Sequence, residues 1–306
     1  MTTIKIERIP KESIDTTDKT KWNSNNHPIK PEDIPKGMTE LEHYKSVIAK
    51  TCLSDWKHLV DYEHTITLSK EAIQTLIECI PTGMLSRRRP KNFKEDLEDL
   101  EKEISKSWPY KGEHHEKSKD WFVRSDRVSL KDGVVAYPFS SPKDLVDAMS
   151  TSDRFHKALK DGDNKLYFFE YQPTWNEFRE VRVFVHDLKV TAMSQYLWFR
   201  KGYFGETTDQ ELEIVARNII HSVEDWAECL YRKNGLRDMT VDVYVNDESL
   251  NGEYESQDSI RLVEFNTFGY SQAAGSCLFH WLNDYDILYG KMNTKEKNNV
   301  VFRIVS

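Results

Sequence analysis

Two short alternating segments near the C-terminus constrain this chain more than any other feature. In Met239-Thr-Val-Asp-Val-Tyr-Val245, the residues Met239, Val241, Val243 and Val245 fall on one face, with Thr240, Asp242 and Tyr244 on the other. In Arg261-Leu-Val-Glu-Phe-Asn-Thr-Phe-Gly269 the same period of two sets Glu264 and Asn266 opposite Val263 and Phe265. Both runs are expected to be β-strands, and if they pair, the oxygen-bearing side chains of Asp242, Glu264 and Asn266 converge. Magnesium takes oxygen ligands and commonly rests on one or two carboxylates, with waters and substrate phosphates completing its shell. The trio therefore suits magnesium, and the pattern serves equally well for the polar solvent face of an antiparallel sheet.

The rest of the chain reads as a mixture of helices and strands. At 306 residues it is long enough for one large domain or two moderate ones, each with a proper core. Residues 1 to about 35 mix Lys, Asp, Thr, Asn and Pro with little apolar periodicity, and are expected to form an extended or poorly ordered arm. Helices should dominate from there to residue 108. Ser69 before Lys-Glu-Ala-Ile reads as an N-cap, and Phe93, Leu97, Leu100 and Ile104 recur at helical spacing. Trp121 to Val123 and Gly133 to Tyr137 read as short strands, and Ser141-Pro142 opens a further helix. From Tyr167 onward strands prevail. Glu180 to Val185 and Lys189 to Tyr196 form an expected hairpin, and the capping box Thr208-Asp-Gln-Glu211 starts a long helix that stops at Asn234-Gly235.

Composition narrows the function classes. A net charge of −8 argues against nonspecific binding to nucleic acid or anionic membranes. The first thirty residues carry no apolar signal segment, and no stretch approaches the roughly 18 apolar residues of a membrane span, so a soluble cytoplasmic protein is expected. Arg87-Arg88-Arg89, between Pro81-Thr-Gly83 and Pro90, reads as a solvated loop. Cys52, Cys79, Cys229 and Cys277 lack metal-ligand spacing and read as reduced, packed thiols. His114-His115 stands in a charged run with no second cluster to complete a zinc site.

A nucleotide site needs cations or backbone donors for phosphates and an apolar slot for the base. Arg124 lies on an expected strand that leads into a loop bearing Arg127, Ser129 and Lys131, a set that suits phosphate and equally an ion-paired surface turn. Glu180 and Arg182 share a strand face, so Arg182 is either aimed at a phosphate or held in a cross-strand ion pair. No Walker loop and no Gly-x-Gly-x-x-Gly run is present. Ser276 lacks a nucleophile-elbow context, which weighs against hydrolytic triad chemistry.

Taken in order, several of these segments resemble the cell division cycle protein 123 family. The motifs are Cys52 to Trp56, Phe122-Val-Arg-Ser with Ser129 and Lys131-Asp132, Glu180-Val-Arg-Val-Phe-Val185 with Ser194-Gln195, Val241-Asp242-Val-Tyr244, Glu264-Phe-Asn-Thr-Phe-Gly269 and Ser276-Cys-Leu-Phe-His-Trp281. The resemblance, running from about residue 44 to the end, implies an α+β, two-lobed ATP-grasp-like fold with a helical N-terminal part and an antiparallel-sheet C-terminal lobe. It divides the chain into the arm 1–35, an N-terminal lobe 36–165 with a phosphate loop, and a C-terminal lobe 166–306 with the metal site. It further implies ATP and magnesium, with Asp242, Glu264 and Asn266 on the metal and Arg124, Ser129, Lys131, Arg182 and Asp242 lining the nucleotide. Glu170 and Tyr171, in the run Phe168 to Tyr171, fall where the hinge should clasp adenine. The implied function is an assembly chaperone that binds the gamma subunit of eukaryotic translation initiation factor 2, with an ATP-grasp carboxylate–amine ligase as the alternative. Glu264 stands where the family carries aspartate, Thr267 where it carries proline, and Arg124 where lysine is frequent.

Overall fold

A computed structural model of the chain describes residues 2–18, 20–109, 120–246, 259–291 and 298–306. Its elements in chain order are β1 (Thr2–Ile9), α1 (Glu40–Ala49), α2 (Leu53–Trp56), β2 (His64–Thr67), α3 (Lys70–Ser86), α4 (Lys94–Lys106), β3 (Trp121–Ser125), α5 (Pro142–Met149) and α6 (Asp153–Lys160). They continue with β4 (Lys165–Glu170), β5 (Glu180–His186), β6 (Lys189–Gln195), α7 (Asp209–Asn234), β7 (Met239–Val245), β8 (Ile260–Asn266), α8 (Tyr285–Leu288) and β9 (Asn298–Val305). Two compact units result, one built from residues 1–60 and 175–306 and the other from 61–174.

The 61–174 unit carries a three-stranded antiparallel sheet in the order β2-β4-β3. Leu76 and Ile80 of α3, Leu97, Leu100 and Ile104 of α4, and Val123 and Phe168 of the sheet join one apolar core. The Ser69 side chain caps α3 by accepting from the Ala72 N–H, and Ser141 caps α5 in the same manner from Asp144. The expected strand at Gly133 to Tyr137 does not form. The Val134 N–H donates to Thr151 Oγ1 at 3.0 Å, and a side chain on Gly133 would run into the Ala148 carbonyl, so this stretch packs as an irregular strap.

The other unit holds a six-stranded sheet in the order β1-β9-β6-β5-β7-β8. Its β5, β6, β7 and β8 pair antiparallel, as the C-terminal periodicity requires, whereas β9 runs parallel to both β1 and β6. The sheet is therefore mixed, where the resemblance implied an antiparallel one. The expected extended arm also differs: residues 2–9 are an ordered edge strand, register-matched to β9 along its whole length. The alternation Ile4, Ile6 against Lys5, Glu7 is the signal that a reading by composition passes over. This pairing ties the first residues of the chain to 175–306 rather than leaving them as a separate arm.

Helix α7 packs on this sheet, touching β1, β5, β6, β7 and β8 through the stripe Leu212, Val215, Ile219, Val223 and Leu230. Its capping box is complete and Gly235 closes it in the left-handed conformation, as expected. The hairpin turn places Asp187 and Leu188 at φ of 48° and 63°, a two-residue connection whose twist suits the flanking strands. Among the described residues no helix is long and apolar enough to cross a membrane.

Candidate functional site: a polar row across the six-stranded sheet

Strand register places one polar residue from every strand on a single transverse line. Glu7 on β1 opposes Arg303 on β9, Arg303 opposes Ser194 on β6, and Ser194 opposes Arg182 on β5. Arg182 in turn opposes Asp242 on β7, and Asp242 opposes Glu264 on the edge strand β8. Directly opposed residues point to the same face, so the row Glu7, Arg303, Ser194, Arg182, Asp242, Glu264 is a consequence of register alone. A bulge in the β7–β8 ladder follows Asp242, and Asn266 on β8 remains on the side of Glu264.

The densest part of the row is its β5–β7–β8 end. Arg182 donates from Nε to Asp242 Oδ1 at 2.8 Å and from Nη2 to Oδ2 at 2.7 Å, a bidentate pair with both side chains buried. Its Nη1 donates to the Gly275 carbonyl at 2.8 Å, and Tyr196 lies under the guanidinium at 5.1 Å. Asn266 donates its amide to Asp242 Oδ2 and to Glu264 Oε1, both at 3.1 Å. Asp242 is 1% exposed, which removes the solvent-face reading of the β7 pattern. Every residue of β7 is buried, so its alternation separates two covered faces rather than core from water.

Carboxyl groups outnumber the cation here. Glu180, two residues before Arg182 on the same face, accepts from the Trp175 indole at 2.6 Å, and Trp175 stacks on Tyr244 with ring centroids 4.1 Å apart. Burial raises the pKa of Glu180 to about 7, against the Trp175 hydrogen bond, with the charges of Asp242, Glu177 and Glu264 pushing it further. Burial raises the Asp242 pKa as well; Arg182 pulls it down, and a hydrogen-bond contact with the Glu264 carboxyl pushes it up again. Two carboxyl groups in hydrogen-bond contact need a proton or a metal cation between them. Arg182 keeps its charge despite burial because Asp242 lies against it, and its pKa is raised well above the ordinary arginine value. The thiol of Cys277, buried beside the row, is pushed up to about 12 by burial and is a structural thiol.

The loop around Gly275 to Trp281 is held down by residues 22–27. Asn23, in the left-handed region at φ 45°, accepts from the Cys277 N–H and donates its own N–H to the carbonyls of Cys277 and Phe279. A Cβ on Gly275 would lie 2.3 Å from Asn23 Oδ1, so this crossing requires glycine. Ser276, found here, gives its hydroxyl to the Phe279 carbonyl at 2.6 Å.

The sequence-derived site residues separate between the two units. Arg182, Asp242, Glu264 and Asn266 come together on the row. Arg124, Ser129, Lys131, Glu170 and Tyr171 all belong to the 61–174 unit. Arg124 is buried on β3, paired with Tyr167 and bridged to Ser129, while Lys131 and Glu170 are exposed and the Tyr171 N–H donates to the Asp120 carbonyl. Arg127 is engaged in a structural cluster, donating to Asp163 Oδ1 at 2.9 Å and to the Asp161 carbonyl. Phe168 is a core residue packed against Trp108 and Trp121.

The arginine run is only partly a solvated loop, since Arg89 forms ion pairs with Glu101 and Asp147. Cys229 is exposed, unlike the other three cysteines. His114 and His115 lie outside the described residues, and among those described no group of three or more His, Cys, Asp or Glu side chains is arranged to hold a metal on its own. Sequence reasoning missed Trp175, Tyr196 and Gly275; only long-range packing puts them beside the row.

The sequence model of the D123 family matches residues 141–306, more than half of the chain. No curated protein matches the chain in sequence. The solved structure of Cdc123 from Schizosaccharomyces pombe is similar at a TM-score of 0.56 and 16% identity, over 85% of this chain and 97% of that one. A C-terminally truncated form of the same yeast protein aligns at 0.50 and 14%, over 85% and 98% of the two chains. At these identities the likeness establishes the α+β fold. The D-alanine-D-alanine ligase from Coxiella burnetii aligns at a TM-score of only 0.32 with 12% identity, over 73% of this chain and 48% of that one, and carries no argument.

Proposed function

The chain belongs to the D123 family, and from that premise we propose that it binds ATP with magnesium at the Asp242 end of the row and acts as an assembly chaperone on the gamma subunit of translation initiation factor 2. The observation that supports the cation most is the register pairing of Asp242 with Glu264, whose carboxyls share the Asn266 amide at 3.1 Å each, with one guanidinium beside them. A divalent cation offsets that excess of negative charge without a shared proton. The donor set is all oxygen once the Asn266 amide turns its Oδ1 inward, since its nitrogen faces the carboxyls here. The residues present therefore fit magnesium: Asp242, Glu264 and Asn266 would hold it, and it would supply positive charge against nucleotide phosphates.

In this reading Arg182 holds Asp242 in place. Three of its five N–H donors are engaged by Asp242 and Gly275. Arg124, Ser129, Lys131, Glu170 and Tyr171 belong to the 61–174 unit, and nucleotide binding at the Asp242 end is proposed without them. ATP acts by favouring the partner-binding conformation, as a ligand shifts an equilibrium through differential affinity.

The test is capture of the isolated gamma subunit by the purified chain, with and without ATP and magnesium. Binding that strengthens with both together is expected. Equal binding under all conditions removes nucleotide from the function, and ADP release that appears only with an amine acceptor assigns a ligase instead.

A further inference from the structure

The unit of the six-stranded sheet contains a cavity of about 570 Å³ between the segment 26–29, the first turns of α1 and the Ser271-Gln272 turn. That size lies within the range of ligand pockets. Nothing in the proposed nucleotide site uses it. Two polar atoms of its lining residues, Gln272 Oε1 and His27 Nε2, are sealed from solvent and meet no hydrogen-bond partner. The Gln272 residue is 4% exposed, fixed through backbone bonds to Asn26 and Gly269. A buried carbonyl oxygen is satisfied only by a donor, and a terminal amide torsion is broad enough to turn that oxygen into the cavity.

The remaining wall narrows the donor. Glu40 supplies a carboxylate at the start of α1, Tyr44 an aromatic face one turn on, and Ile29 and Leu41 an aliphatic surface, with Leu41 62% exposed. Glu40 is the one acidic side chain of the wall, beside the imidazoles of His27 and His43, and its carboxylate repels an anion and accepts from a cation. The aliphatic surface asks for a methylene stem, and the ring for a flat cation that stacks on it. We infer that this cavity is a binding site for an arginine side chain presented by a peptide, with the guanidinium reaching Glu40 and Gln272 and the stem lying on Ile29 and Leu41. The cavity is larger than one side chain needs, which leaves room for peptide backbone and favours a peptide over the free amino acid.

Isothermal titration of the full chain with Nα-acetyl-arginine-N-methylamide tests this. Saturable binding with Kd on the order of 1 mM is expected from the size of the probe. Glu40→Gln, a surface change whose fold is checked by thermal unfolding, should weaken it about tenfold, and added ATP with magnesium should leave it unchanged, which separates this site from the nucleotide site. The norleucine analogue, which keeps the stem and lacks the guanidinium, should not bind. Absence of saturable binding by the folded chain overturns the inference, as does equal binding of the norleucine or glutamate analogue, or tighter binding of free arginine than of the blocked probe.

Discussion

Two arginines stand two strands apart on the same row of one sheet, and their surroundings have opposite electrostatic character. Arg303 pairs with Glu7 at 2.8 Å and Asp284 at 2.9 Å, and lies over Phe279 at 4.2 Å. Burial pushes the Glu7 carboxyl up, but Lys5 and Arg303 more than offset it, so its pKa falls below the ordinary value. Around Arg182 the balance goes the other way: Asp242 and Glu180 are both raised, and Asp242 meets a second carboxyl. The first cluster is complete as it stands. The second has more carboxyl groups than its one guanidinium neutralises, an imbalance that a proton on Glu180 or the proposed cation would relieve. An arginine with carboxylates on a sheet therefore does not by itself mark function; the two clusters differ in the sign of their carboxylate shifts.

The comparison breaks most visibly if the arginines are removed. Arg182→Met leaves Asp242 buried without its counter-ion and should cost about 3–5 kcal/mol in urea unfolding at pH 7.5. Arg303→Met should cost about 2 kcal/mol, because Glu7 and Asp284 keep more access to water. Equal losses would erase the distinction.

Titration of Glu180 sharpens it. Its folded pKa of about 7 exceeds the ordinary 4.5, so between those values the folded state holds a proton that the unfolded state has released. Stability therefore falls as pH rises from about 4.5 to about 7 and is flat beyond, by on the order of 2 kcal/mol after allowance for partial exposure. Glu180→Gln should flatten that slope in denaturation curves recorded at pH 5 and pH 8. Gly275→Ala, which forces a methyl into Asn23 beneath the carbonyl that Arg182 uses, should cost about 1–3 kcal/mol.

The smallest effect is expected from Glu7→Gln, about 1 kcal/mol at pH 7. The sign is opposite to that of Glu180: the folded pKa is lowered, so the contribution is present above about pH 4.5 and disappears as pH falls through the folded value. A Glu7→Gln penalty that persists unchanged at pH 3 would contradict the ion-pair account.

Much of this was legible in the sequence, and the limits have physical causes. The β7 and β8 alternation, the α7 capping box and the β5–β6 hairpin are local signals, and each formed where it was expected. Asp242, Glu264 and Asn266 met because a period of two and an antiparallel pair leave little choice of face. The pairing of β1 with β9 spans almost the whole chain, and no local pattern reveals a parallel partner at that distance. Nor could the sequence say that Arg182 is held by Asp242 rather than by Glu180, because the β5–β7 register decides it. The Gly133 to Tyr137 segment has strand composition, yet Thr151 takes the Val134 N–H that a strand would need.

The central claim, that the unbalanced end of the row takes a magnesium-bound nucleotide, is tested most directly by titrating ATP into the wild-type chain and into Asp242→Asn, each with and without magnesium. The account predicts that magnesium strengthens ATP binding to the wild type, and that this gain disappears in a variant still folded by circular dichroism. ATP affinity that is independent of magnesium and identical in the two chains would contradict it.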